Sequence, residues 1–149
     1  MTDRKEQKID FQVTGRLLIN AFRAFEKKLL HELQQLSFSD ITLSHLNVIR
    51  HLNPEGMKLI ELANDAALSK QAISKICSNL AHKGYIEIIN DNNDGRAKVV
   101  RFTQKGIRLV DTAVDITREI ESQYRSNLGD KDYEQLHDSL QKLLRDAKQ

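Results

Sequence analysis

The chain has no tryptophan, one proline and one cysteine, and aromatic residues fill only 5% of its 149 positions. A lone cysteine excludes an intramolecular disulfide framework, and with it the small secreted scaffolds that depend on one. The lone proline, Pro54, falls between two helical patterns, so proline interrupts no helix. No apolar run approaches the roughly 20 residues needed to cross a bilayer. The N-terminal stretch lacks the basic, apolar and small-residue order of a signal peptide, so the expected location is the cytoplasm. Also missing are a nucleophile with a base, paired carboxylates beside a glycine loop, and any cluster with metal-ligand spacing. His31, His45, His51, His82 and His137 are scattered. An enzyme, a cofactor and a metal are therefore not expected.

What is present is leucine, isoleucine and charge, the balance of a mainly helical protein, at a length that suits one domain. The informative stretch runs from Lys58 to Gly106. Leu59, Leu62, Ala63 and Ala66 repeat at the spacing of one helix face. Leu68-Ser69 interrupts that face, and Ser69 is a good cap for a second helix with Ile73, Ile76, Cys77 and Leu80 inward, ending at Gly84. Two short helices joined this closely predict a helix-turn-helix. Next come Tyr85-Ile86-Glu87-Ile88-Ile89, a run of turn formers from Asn90 to Gly95, and Val99-Val100-Arg101-Phe102, a pattern that predicts a β-hairpin wing. Arg96, Lys98 and Arg101 make its tip and return strand basic.

The net charge of +2 says nothing by itself about nucleic acid, but its distribution does. From Lys58 to Arg108 nine Lys and Arg face five Asp and Glu, whereas from Leu109 to Gln149 six face nine. A basic centre beside acidic helices suits a local anion-binding surface, though a solvated surface of mixed charge remains open on these counts.

Outside this stretch the chain reads as helices. After a polar, frayed Met1 to Lys8, Phe11, Leu18, Phe22, Phe25, Leu29, Leu33 and Leu36 predict a long helix starting at Ile9. Thr42 or Asp40 caps a second helix through Leu43, Leu46, Ile49 and Leu52, which a turn at Asn53-Pro54-Glu55-Gly56 closes. Past the wing, Thr103 caps a long helix with Ile107, Val110, Val114, Ile120 and Tyr124 as apolar positions. Asp130 then caps a last helix carrying Tyr133, Leu136, Leu140, Leu143 and Leu144. The terminal helices hold more apolar surface than the reader needs, and pairing with a second copy would bury it; folding back in a monomer is the alternative.

Asp94-Gly95-Arg96, followed by Val99, Val100, Phe102-Thr103 and Gly106, resembles the wing signature of the MarR family of winged helix-turn-helix transcriptional regulators. Leu68-Ser69-Lys70-Gln71-Ala72-Ile73-Ser74-Lys75, running on to Leu80 and Lys83-Gly84-Tyr85-Ile86, is similar to the family's recognition helix and its exit into the wing. The resemblance covers nearly the whole chain. Phe102 stands for the usual leucine, and Ile88 stands where many members carry arginine.

The fold class the resemblance implies is mainly α with a small β-hairpin wing. Residues 1–36 and 107–149 would be dimerisation helices around a DNA-binding lobe at 37–106, in one intertwined unit. It implies a ligand-responsive repressor acting as a homodimer on a pseudo-palindromic operator in double-stranded DNA, with a small-molecule effector between the dimer helices and the reader. His45 and His51 lie near where such pockets occur in similar proteins. The expected DNA-binding residues are Ser69, Lys70, Gln71, Ser74, Lys75, Asp94, Arg96 and Lys98, since the outward helix face is small, polar and basic and Gln71 can pair bidentately with adenine. A guanidinium at Arg96 suits a narrow minor groove, with Asp94 placed to pair with it. Cys77, on the inward face, reads as a buried structural thiol. The alternative is a winged-helix module that binds a protein partner, such as an antirepressor, and no DNA.

Overall fold

The computed structural model describes residues 12–148. The expected frayed start and the helical positions at Ile9 and Phe11 lie outside them. Six helices and three short strands follow in the order α1 Thr14–Gln35, α2 Leu43–Ile49, β1 Met57–Lys58, α3 Leu59–Asp65, α4 Lys70–His82, β2 Ile86–Asn90, β3 Lys98–Phe102, α5 Gln104–Leu128 and α6 Asp130–Ala147.

The lobe at the centre is built as the spacing predicts, with one addition. Its sheet has three antiparallel strands in the order β1-β3-β2, where the sequence predicts only a two-stranded hairpin. The missed strand, Met57–Lys58, pairs Met57 with Val100 and Lys58 with Val99, and two residues are too few to show an alternating pattern. The preceding turn brings it there: Gly56 donates its amide to the Asn53 carbonyl at 2.9 Å and has φ +91, a left-handed conformation that glycine adopts without strain. Leu62 of α3, Ile73 and Leu80 of α4, Tyr85, Val100 and Leu109 of α5 are fully buried together, so α3, α4, the sheet and the start of α5 share one core.

Thr42 caps α2, its hydroxyl accepting from the His45 amide, while Asp40 is engaged elsewhere. The long helices flank the lobe. The C-terminal half of α1 reaches it through Leu29 and Leu33, and α1 also packs on α5. Leu17, Leu18, Ile19 and Phe22 stay exposed on the other half of α1. On α5 the buried positions are Gly106, Leu109, Ile116 and Ile120; of the five apolar positions predicted there, only Ile120 is buried, while Ile107, Val114 and Tyr124 are exposed.

At the α5–α6 elbow Gly129 turns the chain at φ +83 and is itself the cap of α6. Asp130 is the first helical residue rather than the cap, and its carboxylate pairs with Arg125 at 3.3 Å. Arg125 also reaches Glu134 at 2.6 Å and lies over the Tyr133 ring, which fixes the angle between the two helices. No residue of α6 is buried. Among the described residues no helix is long and apolar enough to cross a membrane.

Candidate nucleic-acid interface

The outward face of α4 is held at both ends by local chemistry. At its start the Ser69 hydroxyl accepts from the Ala72 amide at 3.1 Å. At its end Gly84 takes φ +85, its amide bonding the Ala81 carbonyl and the next amide, Tyr85, bonding Leu80, both at 3.0 Å. These paired bonds stop the helix and turn the chain into β2 in one step. Ile73, Cys77 and Leu80 point into the core, with Ile76 half-buried. Burial pushes the Cys77 thiol from its ordinary 9.0 up to about 11, as a structural rather than reactive cysteine requires. Lys70, Gln71, Lys75 and Ser78 are exposed on the opposite side and Ser74 is half-exposed.

The wing tip is organised by two aspartates. The Asp91 carboxylate accepts from the Asn93 amide at 3.0 Å, and Asp94 accepts from the Arg96 amide at 3.1 Å. Asp94 therefore positions Arg96 through its backbone, not through the side-chain pair the sequence suggests, and the guanidinium projects unpaired into solvent. Below the tip the cation count falls. Arg101 is paired with Glu87 across β2 and β3, and Lys58 lies 3.9 Å from Asp91. Lys83 faces Asp40, and Lys105 is drawn onto the Tyr85 ring while donating to the Lys83 carbonyl. Among the described residues, Lys70, Lys75, Arg96 and Lys98 make no ion pair. All four lie on the outer face of α4 or on the wing.

Between α4 and the wing runs an open cleft of about 480 Å³. Of the expected site residues it brings together Lys70, Ser74, Asp94, Arg96 and Lys98 on its walls, while Ser69, Gln71 and Lys75 do not line it. Among the further lining residues, Ser78 belongs to the outward helix face that the spacing predicts, four residues after Ser74, while Lys58 and Ile60 depend on where β1 joins the sheet, which nothing local announces.

The wing is anchored at its root by residues of the Phe-Thr-x-x-Gly motif. The Thr103 hydroxyl accepts from the Gly106 amide at 3.1 Å, capping α5, and donates to the Gly84 carbonyl at 2.5 Å. The Thr103 amide bonds the Tyr85 carbonyl at 3.1 Å. Gly106 is required because a Cβ there would sit 2.0 Å from that carbonyl oxygen. Tyr85 itself is fully buried and donates its hydroxyl to Asp40 at 2.6 Å. That donated bond holds the Asp40 carboxyl below its ordinary range, and burial together with Asp40 pushes the Tyr85 phenol up.

His45 and His51 fare differently from each other. His45 is buried, with Nδ1 accepting from the Thr42 amide at 3.0 Å and Nε2 2.7 Å from Asn79 Oδ1; His51 is half-buried at the end of α2.

No protein-family model and no curated protein matches the chain. Solved structures do. MepR, a transcription regulator of the Staphylococcus aureus multidrug efflux pump MepA, is 24% identical over 91% of this chain and 98% of its own, with a TM-score of 0.70. A MepR mutant bound to an oligodeoxyribonucleotide is 25% identical over the same shares, at 0.61. Wild-type MarR from E. coli in its apo form is 22% identical over 89% of this chain and 96% of its own, at 0.75. Over nearly its whole length, then, the chain has the winged helix-turn-helix fold of the MarR-type transcription regulators, the family its wing and recognition-helix motifs resemble.

Proposed function

We propose that the chain is a sequence-specific, double-stranded-DNA-binding transcriptional regulator that acts as a homodimer on a pseudo-palindromic operator. The observation that carries this is the distribution of unpaired cations: other lysines and arginines of the lobe have carboxylate or π partners, whereas Lys70, Lys75, Arg96 and Lys98 converge on the outer face of α4 and the wing. A helix of this width fits the major groove, with Lys70, Gln71, Ser74 and Lys75 facing bases or phosphates and Ser69 at the helix start beside them. Arg96 enters the flanking minor groove, presented by the turn that Asp94 ties, and Lys98 meets the backbone. That a similar protein is found with an oligodeoxyribonucleotide supports the same use here.

Dimerisation accounts for the exposed apolar surface. Leu17, Leu18, Ile19 and Phe22 on α1, Ile107 and Val114 on α5, and Leu136, Leu143 and Leu144 on α6 are all solvent-facing in one chain. Burying each such side chain is worth ~1.5–3 kcal/mol. In this reading residues 1–36 and 107–149 hold the dimer and 37–106 read DNA, with half-site centres ~34–36 Å apart. A repressor controlled by a small molecule bound between the dimer helices and the reader completes it; such a ligand switches the protein only by binding two reader spacings with different affinity.

The test is selection of bound fragments from a random duplex library, with affinity for the winner measured at two salt concentrations. The expected result is an inverted repeat whose affinity falls with salt, with a slope of about −0.9 per phosphate contact. Arg96→Ala then weakens binding to every operator while the dimer stays folded. Recovery of nothing above background by folded protein overturns the reading in favour of a protein-binding module, and unchanged affinity in Arg96→Ala removes the wing from the interface.

A further inference from the structure

We propose that His45 is a positioning residue for the recognition helix, acting through Asn79. The proposal rests on the DNA-reading function inferred above.

Among the described residues His45 is the only titratable nitrogen side chain in the buried core. Its two ring nitrogens face different elements, and the chemistry of each partner fixes the proton. Nδ1 lies 3.0 Å from the Thr42 backbone N–H, which can only donate, so Nδ1 is the bare acceptor. The hydrogen is therefore on Nε2, which donates to the Asn79 side-chain oxygen at 2.7 Å. One ring thus joins the N-terminal cap of α2 to the middle of α4, and α2 packs on α4 at this place. Asn79 follows Lys75 by one helical turn, so its hold on His45 sets the height and rotation of the outward face that carries Gln71, Ser74 and Lys75.

His45→Gln keeps the hydrogen bonds without the ring, because glutamine at this position of a helix start can accept from the cap amide and still donate outward. Operator affinity is measured for the wild type, His45→Ala, His45→Gln and Asn79→Ala. His45→Ala and Asn79→Ala are each about tenfold weaker than the wild type in a folded protein, and His45→Gln restores binding. A folded Asn79→Ala protein that binds normally, or a His45→Gln protein that binds no better than His45→Ala, would overturn the proposal.

Nitrogen NMR of histidine-labelled full-length protein supplies a readout that needs no DNA. It finds the Nε2-protonated tautomer at His45, and amide exchange at the start of α2 and along α4 is faster in His45→Ala than in the wild type or His45→Gln. The other tautomer, or exchange unchanged in His45→Ala, refutes the latch. Failure of every variant to bind DNA refutes the reader function instead, and the NMR result still decides the latch.

Discussion

Gly106→Ala reverses the usual sign of a helical substitution. In an open helix position, alanine for glycine stabilises by ~1 kcal/mol. Here the new Cβ would lie 2.0 Å from the Tyr85 carbonyl oxygen and 2.9 Å from the Phe102 ring. Relief needs the carbonyl and the helix to separate by more than ~1 Å, since carbon and oxygen pack no closer than about 3 Å. The carbonyl cannot retreat freely, because it accepts from the Thr103 amide at 3.1 Å and its own residue is tied to Asp40 at 2.6 Å. Overpacking costs ~1–3 kcal/mol, and loosening the Thr103 bond adds ~1 kcal/mol. After the helical gain is subtracted, the net loss is ~1–3 kcal/mol, a fall in Tm of roughly 2–12 °C for a chain of this size. Thermal unfolding followed by circular dichroism, at one fixed protein concentration because a dimer's midpoint depends on it, measures the loss. Gly15→Ala is the control: nothing lies within 4 Å of a Cβ there, and it raises the midpoint. A Gly106→Ala protein as stable as the wild type would refute the anchoring of the wing root on α5.

Tyr85→Phe removes the hydroxyl that Asp40 accepts and costs ~1–2 kcal/mol at neutral pH. Because the native carboxyl of Asp40 is held below its ordinary 3.8, the stabilisation is complete above that value and lost as pH falls through the lower native one, so the wild-type and Tyr85→Phe denaturation midpoints converge in acid. Cys77 is protected in the reverse sense: its raised native value means stability declines as pH rises from 9.0 toward about 11, and thiol labelling of the native protein proceeds only at the rate of opening, accelerated by denaturant. Equal labelling rates for Cys77 in native and unfolded protein would contradict its burial. Gln71→Ala relaxes base preference at one position per half-site by ~1–3 kcal/mol in competition with substituted operators, whereas a uniform loss makes Gln71 a backbone contact.

The reader was legible in the sequence because its signals are local. Ser69 caps α4, Gly84 ends it and Thr103 caps α5, and each needs only its own neighbours to act. What escaped depends on distant partners. Met57–Lys58 becomes a strand only because Val99 and Val100 lie beside it, and two residues carry no period of their own. Asp40 looked like a helix cap from its position, but the Tyr85 hydroxyl claims it across 45 residues. Asp94 and Arg96 were paired by charge, whereas the short side chain of Asp94 reaches the Arg96 amide first. The same competition explains the candidate site. Charge counting treats all nine basic residues from Lys58 to Arg108 alike, and only the fold shows Arg101 paired with Glu87 and Lys105 held on an aromatic ring, while Lys70, Lys75, Arg96 and Lys98 keep their charge for solvent.

The long helices show a different limit. Apolar periodicity on α5 selects Ile107, Val110, Val114, Ile120 and Tyr124, yet of these only Ile120 joins Leu109 and Ile116 in the buried core. Ile107 and Val114 are seven residues apart, as are Leu109 and Ile116, so one helix carries two stripes, and hydrophobicity alone does not say which of them faces its own lobe. The lobe takes the stripe that meets α1 and the sheet; the other faces out, as do Leu17, Leu18, Ile19 and Phe22 of α1 and Leu136, Leu143 and Leu144 of α6. A sequence pattern records that a side chain avoids water, not whose surface shelters it. An apolar stripe still exposed after the lobe has closed is therefore surface that the proposed pairing with a second copy would bury.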